Sequence, residues 1–219
     1  MASVLTVNKA AAPAGQTALG SGIDKRPSAE PLSVRAPGPM DGGLGGGVVG
    51  DSIGNRRLHG GDDQAVYAYA REDLDMWQSR LQRELTNGMF GENLTTAGVD
   101  VTGSLVGERW AVGDDGLVLE VSAPRTPCKT FAAWLDIAGW IKTFTAAALP
   151  GTYLRVISPG TVRAGDSIEV IHRPEHAVTV GMVFRALMLD PALLEALAPA
   201  DALPDAVKAQ IARRSGKAV

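Results

Sequence analysis

The sequence predicts a mainly β, α+β chain. A β-barrel-like domain is expected over residues 1–173, with a few peripheral helices and a small three-helix appendage over residues 174–219. Three observations carry this expectation. Short apolar runs rich in Val, Leu and Tyr are punctuated throughout by 26 glycines and 13 prolines, as strands joined by tight turns are. Clear helical periodicity is confined to few stretches, and three short apolar segments close the chain. With 219 residues, 45% of them hydrophobic, there is enough apolar material for one sizeable core.

Taken in order, residues 4–7 read as a short strand and residues 32–35 as a second, stopped by Pro37 and Pro39. The glycine-rich run GGLGGGVVGD then reads as a connector into a strand at Val48-Val49. AVYAYA, residues 65–70, is strand-like. Residues 71–85 form a helix with Leu74, Trp77, Leu81 and Leu85 on one face. Residues 89–96, MFGENLTT, lack periodicity and read as a polar loop. Strands are expected at 105–112 and 117–121 around a turn at Asp114-Asp115-Gly116. Residues 131–149 read as mostly helical with Gly139 as an interruption. TYLRVI, a turn at Pro159-Gly160, and further strand around Gly165-Asp166 follow. VGMVFRALML, PALLEAL and PDAVKAQIARR are then three short helices, with Pro191 and Pro204 at opening positions where a missing N–H costs nothing.

A formal net charge of −3 gives no electrostatic reason for a nucleic-acid partner. A single cysteine excludes an internal disulfide framework and suits a reducing compartment. The first residues lack the basic and long apolar regions of a signal peptide, and no apolar run approaches the roughly 18–20 residues needed to cross a bilayer. A cytoplasmic protein with no membrane partner is the expectation.

The chemistry gathers at Leu-Val-Leu-Glu-Val-Ser-Ala-Pro-Arg-Thr-Pro-Cys-Lys-Thr-Phe, residues 117–131. An alternating strand runs into Pro124 and Pro127, which end it in an ordered loop because proline fixes φ and has no N–H for a ladder. That loop carries Arg125, Cys128 and Lys129. Cationic neighbours favour the thiolate, the form that attacks electrophiles and binds soft metals. Cys128 is equally readable as a small buried hydrophobe at a strand end. Upstream, the paired glycines Gly60 and Gly61 lie among His59, Asp62, Asp63 and Gln64, where a backbone can approach a ligand or simply turn.

Three patterns are set aside. Gly45, Gly47 and Gly50 fit G-x-G-x-x-G, but Pro39 precedes the run and no helix opens at it. His172, Glu175 and His176 fit H-x-x-E-H, but Pro174 breaks the helix that zinc binding requires, so a strand exit is the reading. No G-x-S-x-G elbow supports a serine hydrolase.

Five blocks together carry a resemblance. They are SGIDKRP, the stretch from Gly50 to Trp77, NGMFGENLTT, LEVSAPRTPC and GTYLRVISPGTVRAGDSIEV. In this order, over about residues 20–172, the chain resembles the MOSC domain, named for the C-terminal domain of molybdenum cofactor sulfurase. More narrowly it resembles the stand-alone bacterial branch that includes the hydroxylaminopurine-resistance proteins, in which a three-helix tail is also typical. The PRTPCKTF loop departs from family versions that continue CFKL or CYKL.

The resemblance implies a barrel-like fold with loops converging on a pocket that contains Cys128. It implies the molybdenum cofactor (molybdopterin), with Cys128 as thiolate ligand to the metal; pyridoxal phosphate is not expected. It implies reduction of a small N-hydroxylated substrate. Lys25, Arg26 and Arg125 would neutralise the pterin phosphate, Gly60 and Gly61 would permit close approach, and His59, Gln64, Asn93 and Thr95 would complete the binding set. No flavin, haem or cluster motif is present, so electrons would come from a separate reductase. A homodimer is compatible with the reading. Two alternatives stand beside it: a sulfur carrier with a Cys128 persulfide, and a non-catalytic cofactor-binding protein.

Overall fold

The computed structural model describes residues 1–55 and 57–216. Among these residues there are ten strands: β1 (Ser3–Ala10), β2 (Lys25–Pro27), β3 (Leu32–Val34), β4 (Val66–Ala70), β5 (Leu94–Ala97), β6 (Arg109–Val112), β7 (Leu117–Pro124), β8 (Thr152–Ser158), β9 (Gly160–Val162) and β10 (Ile168–His172). Eight of them form one sheet in the order β10-β6-β7-β8-β4-β5-β1-β2, and β3 pairs with β9 separately. Pairings are antiparallel except β4 with β5. Those two are joined through helix α1 (Arg71–Leu81), the crossover that a parallel pair requires.

The expected α+β, β-rich class is what the chain adopts, but the sheet does not close into a barrel of paired strands. β2 covers only the far end of β1, from Asn8 to Ala10. The near end of β1 instead meets the start of β10. Val4 N–H donates to the Asp166 carbonyl at 2.8 Å, Ile168 N–H donates to the Ala2 carbonyl at 3.0 Å, and Ser3 bridges Ser167.

β4 shows how the two inner layers arise from sequence. Every residue from Val66 to Ala70 is buried, and the strand period of two sends them alternately to opposite faces. Val66, Ala68 and Ala70 join an aliphatic core with Val4, Leu119, Val121 and Leu154. Tyr67 and Tyr69 join an aromatic core with Trp77, Phe90, Phe131, Trp140 and Phe144. That second core lies under α1, α2 (Lys129–Leu135) and α3 (Trp140–Ala147). Gly139, with φ of +70°, separates α2 from α3.

Several expected boundaries move. The helix at 71–85 ends at Gln82, which adopts a left-handed conformation, yet Leu85 beyond it is still buried. The stretch 89–96 is not a polar loop: it runs into β5, and Glu92, Asn93, Thr95 and Thr96 are all buried. Internal hydrogen bonds satisfy these side chains, and β-branched threonine suits a strand. Residues 105–108 are a turn, with Glu108 N–H on the Leu105 carbonyl at 2.9 Å, so the strand there begins at Arg109. Val48 makes a single bridge to Val34 in place of a strand. Past His172 the chain leaves β10 without helix, as the proline in the H-x-x-E-H pattern requires.

In the tail, α4 (Val180–Met188) and α5 (Asp205–Arg214) are helices, whereas PALLEAL forms two 3-10 turns, Pro191–Leu193 and Glu195–Leu197. Val180 packs in the aliphatic core and Phe184 in the aromatic one, while Leu187, Leu194, Leu197 and Leu203 form a third cluster with Val106 and Val178. No helix among the described residues is long and apolar enough to cross a membrane.

Candidate functional site

One cavity of about 530 Å³ collects most of the residues singled out from sequence. It lies where the loop after β7 meets the loops at 19–25 and 51–60, the start of β4, and Gly91 and Asn93 ahead of β5. Lys25, His59, Gly60, Gln64, Asn93, Arg125 and Cys128 all line it. Its volume falls in the range of cofactor and small-molecule sites.

Glycine shapes the wall. Gly60 has φ of +96°, and a Cβ there would meet the Gly45 carbonyl oxygen at 2.7 Å. Cβ atoms on Gly22 and Gly54 would overlap the carbonyl oxygens of Ser52 and Gly20. The segments at 20–22 and 52–54 are therefore laid backbone against backbone.

Arg125 is buried, with its guanidinium 3.9 Å from the Phe131 ring centroid and 5.2 Å from that of Tyr67. Its Nη1 donates to the Phe90 carbonyl. Among the described residues it makes no salt bridge to a carboxylate, so its positive charge is unmatched. A buried guanidinium held by rings and a carbonyl is available to an anion. Cys128 is a free thiol, half-buried, at the residue preceding α2. Burial, and then the Arg125 charge, hold the His59 imidazole below its ordinary value against a hydrogen bond to Gln64, which favours a neutral ring. Burial pushes Tyr153 up, so that it faces the cavity as a neutral phenol.

The other predicted residues stand differently. Lys25 lines the cavity but is ion-paired with Asp51, both side chains buried. Its charge is thus already matched within the protein. Arg26 points away, 62% exposed and bonded to Asp24 at 2.6 Å. Thr95 faces the interior, donating to Glu92 Oε1 at 2.8 Å and accepting from Asn8 Nδ2 at 3.0 Å. Gly61, with φ of +75°, packs on Met40 and supports the turn without lining the cavity.

Sequence reasoning missed Asp51, Tyr67 and Tyr153. Asp51 gathers three donors: it accepts from Lys25, from Asn93 Nδ2 at 2.8 Å and from Ala10 N–H at 2.8 Å. Its only signal was position inside a glycine-rich block. Tyr67 and Tyr153 were visible only as strand residues. Glu92, fully buried, holds the Gly88–Phe90 turn by accepting from both backbone N–H groups and from Thr95. Burial keeps its carboxyl above the usual range against those bonds.

The residues fit a molybdopterin-type group: a soft sulfur donor at one wall, an unmatched buried cation beside it, and glycine-lined backbone able to read a polar heterocycle. The MOSC domain model matches residues 55–169, and the chain belongs to the MOSC domain family.

Among curated relatives, the protein YflK of Bacillus subtilis (strain 168) is 34% identical over 131 residues, 60% of this chain and 58% of YflK. The protein YiiM of Escherichia coli (strain K12) is 32% identical over 130 residues, 58% of this chain and 57% of YiiM. A protein named "Reductase" in Gibberella moniliformis is 29% identical over 210 residues, 84% of this chain but 37% of that protein. This chain thus spans less than two thirds of each of these relatives. In solved structures, YiiM of Geobacillus stearothermophilus superposes with a TM-score of 0.78 at 24% identity, covering 98% of this chain and 99% of that one. YiiM of E. coli gives 0.74 at 22%, covering 99% and 94%. These two share the fold.

Proposed function

We propose that this chain binds a molybdenum cofactor in the cavity, with Cys128 as thiolate ligand to the metal, and reduces the N–O bond of small N-hydroxylated compounds. The observation that carries the reading is the pairing of a free cavity-wall thiol with the unmatched buried guanidinium of Arg125. The family match and the reductase-named relative support it.

When bound, the cofactor would supply a two-electron centre able to accept an oxygen atom from substrate. The chain's residues do the rest. Arg125 would match the anionic part of a bound cofactor, and the glycines of the wall would leave room for its ring system. Asn93 spends both amide hydrogens on Asp51 and the Asn8 carbonyl and accepts from Tyr67 N–H, so it fixes the shape of the wall. Neutral His59 accepts or donates a hydrogen bond without adding charge. Converting an N-hydroxyl to an amine consumes two electrons and two protons and releases water, so a separate reductase protein is the expected partner.

The test is metal and pterin analysis of protein from a cofactor-competent host, with turnover of an N-hydroxylated base by wild type and Cys128→Ser. Ligation predicts stoichiometric molybdenum in wild type, and loss of turnover with a changed metal spectrum in the serine variant. Wild-type protein that carries a reductant-labile extra sulfur and no molybdenum would replace this reading with sulfur transfer. Protein with neither would leave Cys128 a packing residue.

A further inference from the structure

The cavity wall that carries His59, Gly60 and Gln64 ends in a 3-10 turn, Asp62–Gln64, which has no side-chain cap of its own. It is held from outside the cavity. Arg155, on β8, donates from Nε to Asp63 Oδ1 at 2.6 Å. The Nη1 of the same guanidinium donates to Glu120 Oε1 at 3.2 Å and to the Ala202 carbonyl at 2.7 Å. Glu120 is the cross-strand partner of Arg155 and is bonded in turn by Arg109 at 2.8 Å. Ser122 Oγ adds a bond to the Asp63 carbonyl at 2.6 Å.

We propose that Arg155 is a positioning residue that fixes the His59–Gln64 wall of the cavity and sets it against the C-terminal segment at Ala202. The rigid planar fork of a guanidinium can serve these three acceptors at once, whereas an ammonium, a compact charge on a flexible stem, cannot hold them in one geometry. The side chain is 18% exposed, enough burial for its bonds to resist solvent competition. Because one guanidinium serves both sides, any loosening of the segment around Ala202 reaches the cavity wall. The inference concerns the wall itself and stands whichever ligand occupies the cavity.

Backbone amide exchange on the purified 219-residue chain tests it. In Arg155→Gln, peptides covering 59–65 should exchange about tenfold faster, while β7 peptides keep wild-type protection. Arg155→Lys should restore part of the protection. Leu203→Ala, which loosens the buried seat of the segment next to Ala202, should accelerate 59–65 in the same sense. Should Arg155→Gln fail to fold, Asp63→Asn removes the acceptor charge alone and carries the same expectation. Unchanged exchange at 59–65, or equal acceleration in β7, overturns the positioning role. A silent Leu203→Ala overturns the link to the tail. Loosening of 59–65 in protein that never holds molybdenum would reject the cofactor reading and leave this one standing.

Discussion

Lys25 and Asp51 form a buried ion pair in the wall of the cavity, and the carboxylate oxygen that takes the ammonium also accepts from Asn93. The pair joins the start of β2 to the glycine-rich segment, so that Arg125 is the buried cation in the cavity wall without a carboxylate partner among the described residues.

Removing one member should therefore be costly. Asp51→Asn strands the Lys25 charge and should destabilise the fold by about 3–5 kcal/mol, read from the urea midpoint. The double variant Lys25→Met/Asp51→Asn should recover part of that loss. A single variant as stable as wild type would show that the ammonium reaches water.

Arg125→Lys and Arg125→Met should separate charge from shape. Loss of a charge-assisted contact should weaken cofactor retention roughly tenfold to a hundredfold in the methionine variant, with the lysine variant in between. Retention by wild type should fall as salt rises while that of Arg125→Met stays flat, because only wild type has a charge to screen. Parallel salt curves would remove Arg125 from the anion site.

Asp73 gives a pH signature independent of the cavity. Burial first, then the charges of Asp100 and Glu72, raise its pKa to about 6. In the unfolded chain it titrates near its ordinary value of about 3.9. The contribution of Asp73 to folding stability is thus fullest below about pH 4 and is lost as pH rises through about 6, because the folded state resists its ionisation. Asp73→Asn should be about 1–2 kcal/mol more stable than wild type at pH 7, and the difference should vanish below about pH 4. Chemical denaturation across this range would show it.

Gly22→Ala should open the cavity wall, since a Cβ there overlaps the Ser52 carbonyl and must push the 51–60 loop away. Gly15→Ala, with open space around its Cβ, is the matched control and should leave stability within about 0.5 kcal/mol of wild type. Thermal unfolding of both decides it.

Much of this was legible in the sequence, for identifiable reasons. AVYAYA read as a strand because its residues suit one, and it is buried on both faces. The loop carrying Arg125 and Cys128 was marked by prolines, which act locally. What escaped depended on pairing at long range. Thr95 and Thr96 looked like loop residues because nothing local says that Asn8 and the Tyr69 carbonyl will help satisfy them. Lys25 looked free because its partner lies 26 residues on, in a segment without periodicity. Arg26, beside it, alternates to the outside as strand geometry requires. Leu85 kept helical phase with Leu74 and Leu81 although the helix had already stopped.

The meeting of Ala2–Val4 with Asp166–Ile168 has a kinetic consequence. Contacts so distant along the chain carry a large loop-closure cost, so they form late and slow folding. Val4 and Val7, both fully buried, can settle against β5 first, but the near edge of β1 stays unpaired until Asp166–Ile168 arrives. A nascent chain stopped short of Ile168 would display that strand edge to its neighbours, the surface from which aggregation starts. The joint is therefore a checkpoint: it shuts only once synthesis has reached the start of β10, and by then the cavity loops are all in hand.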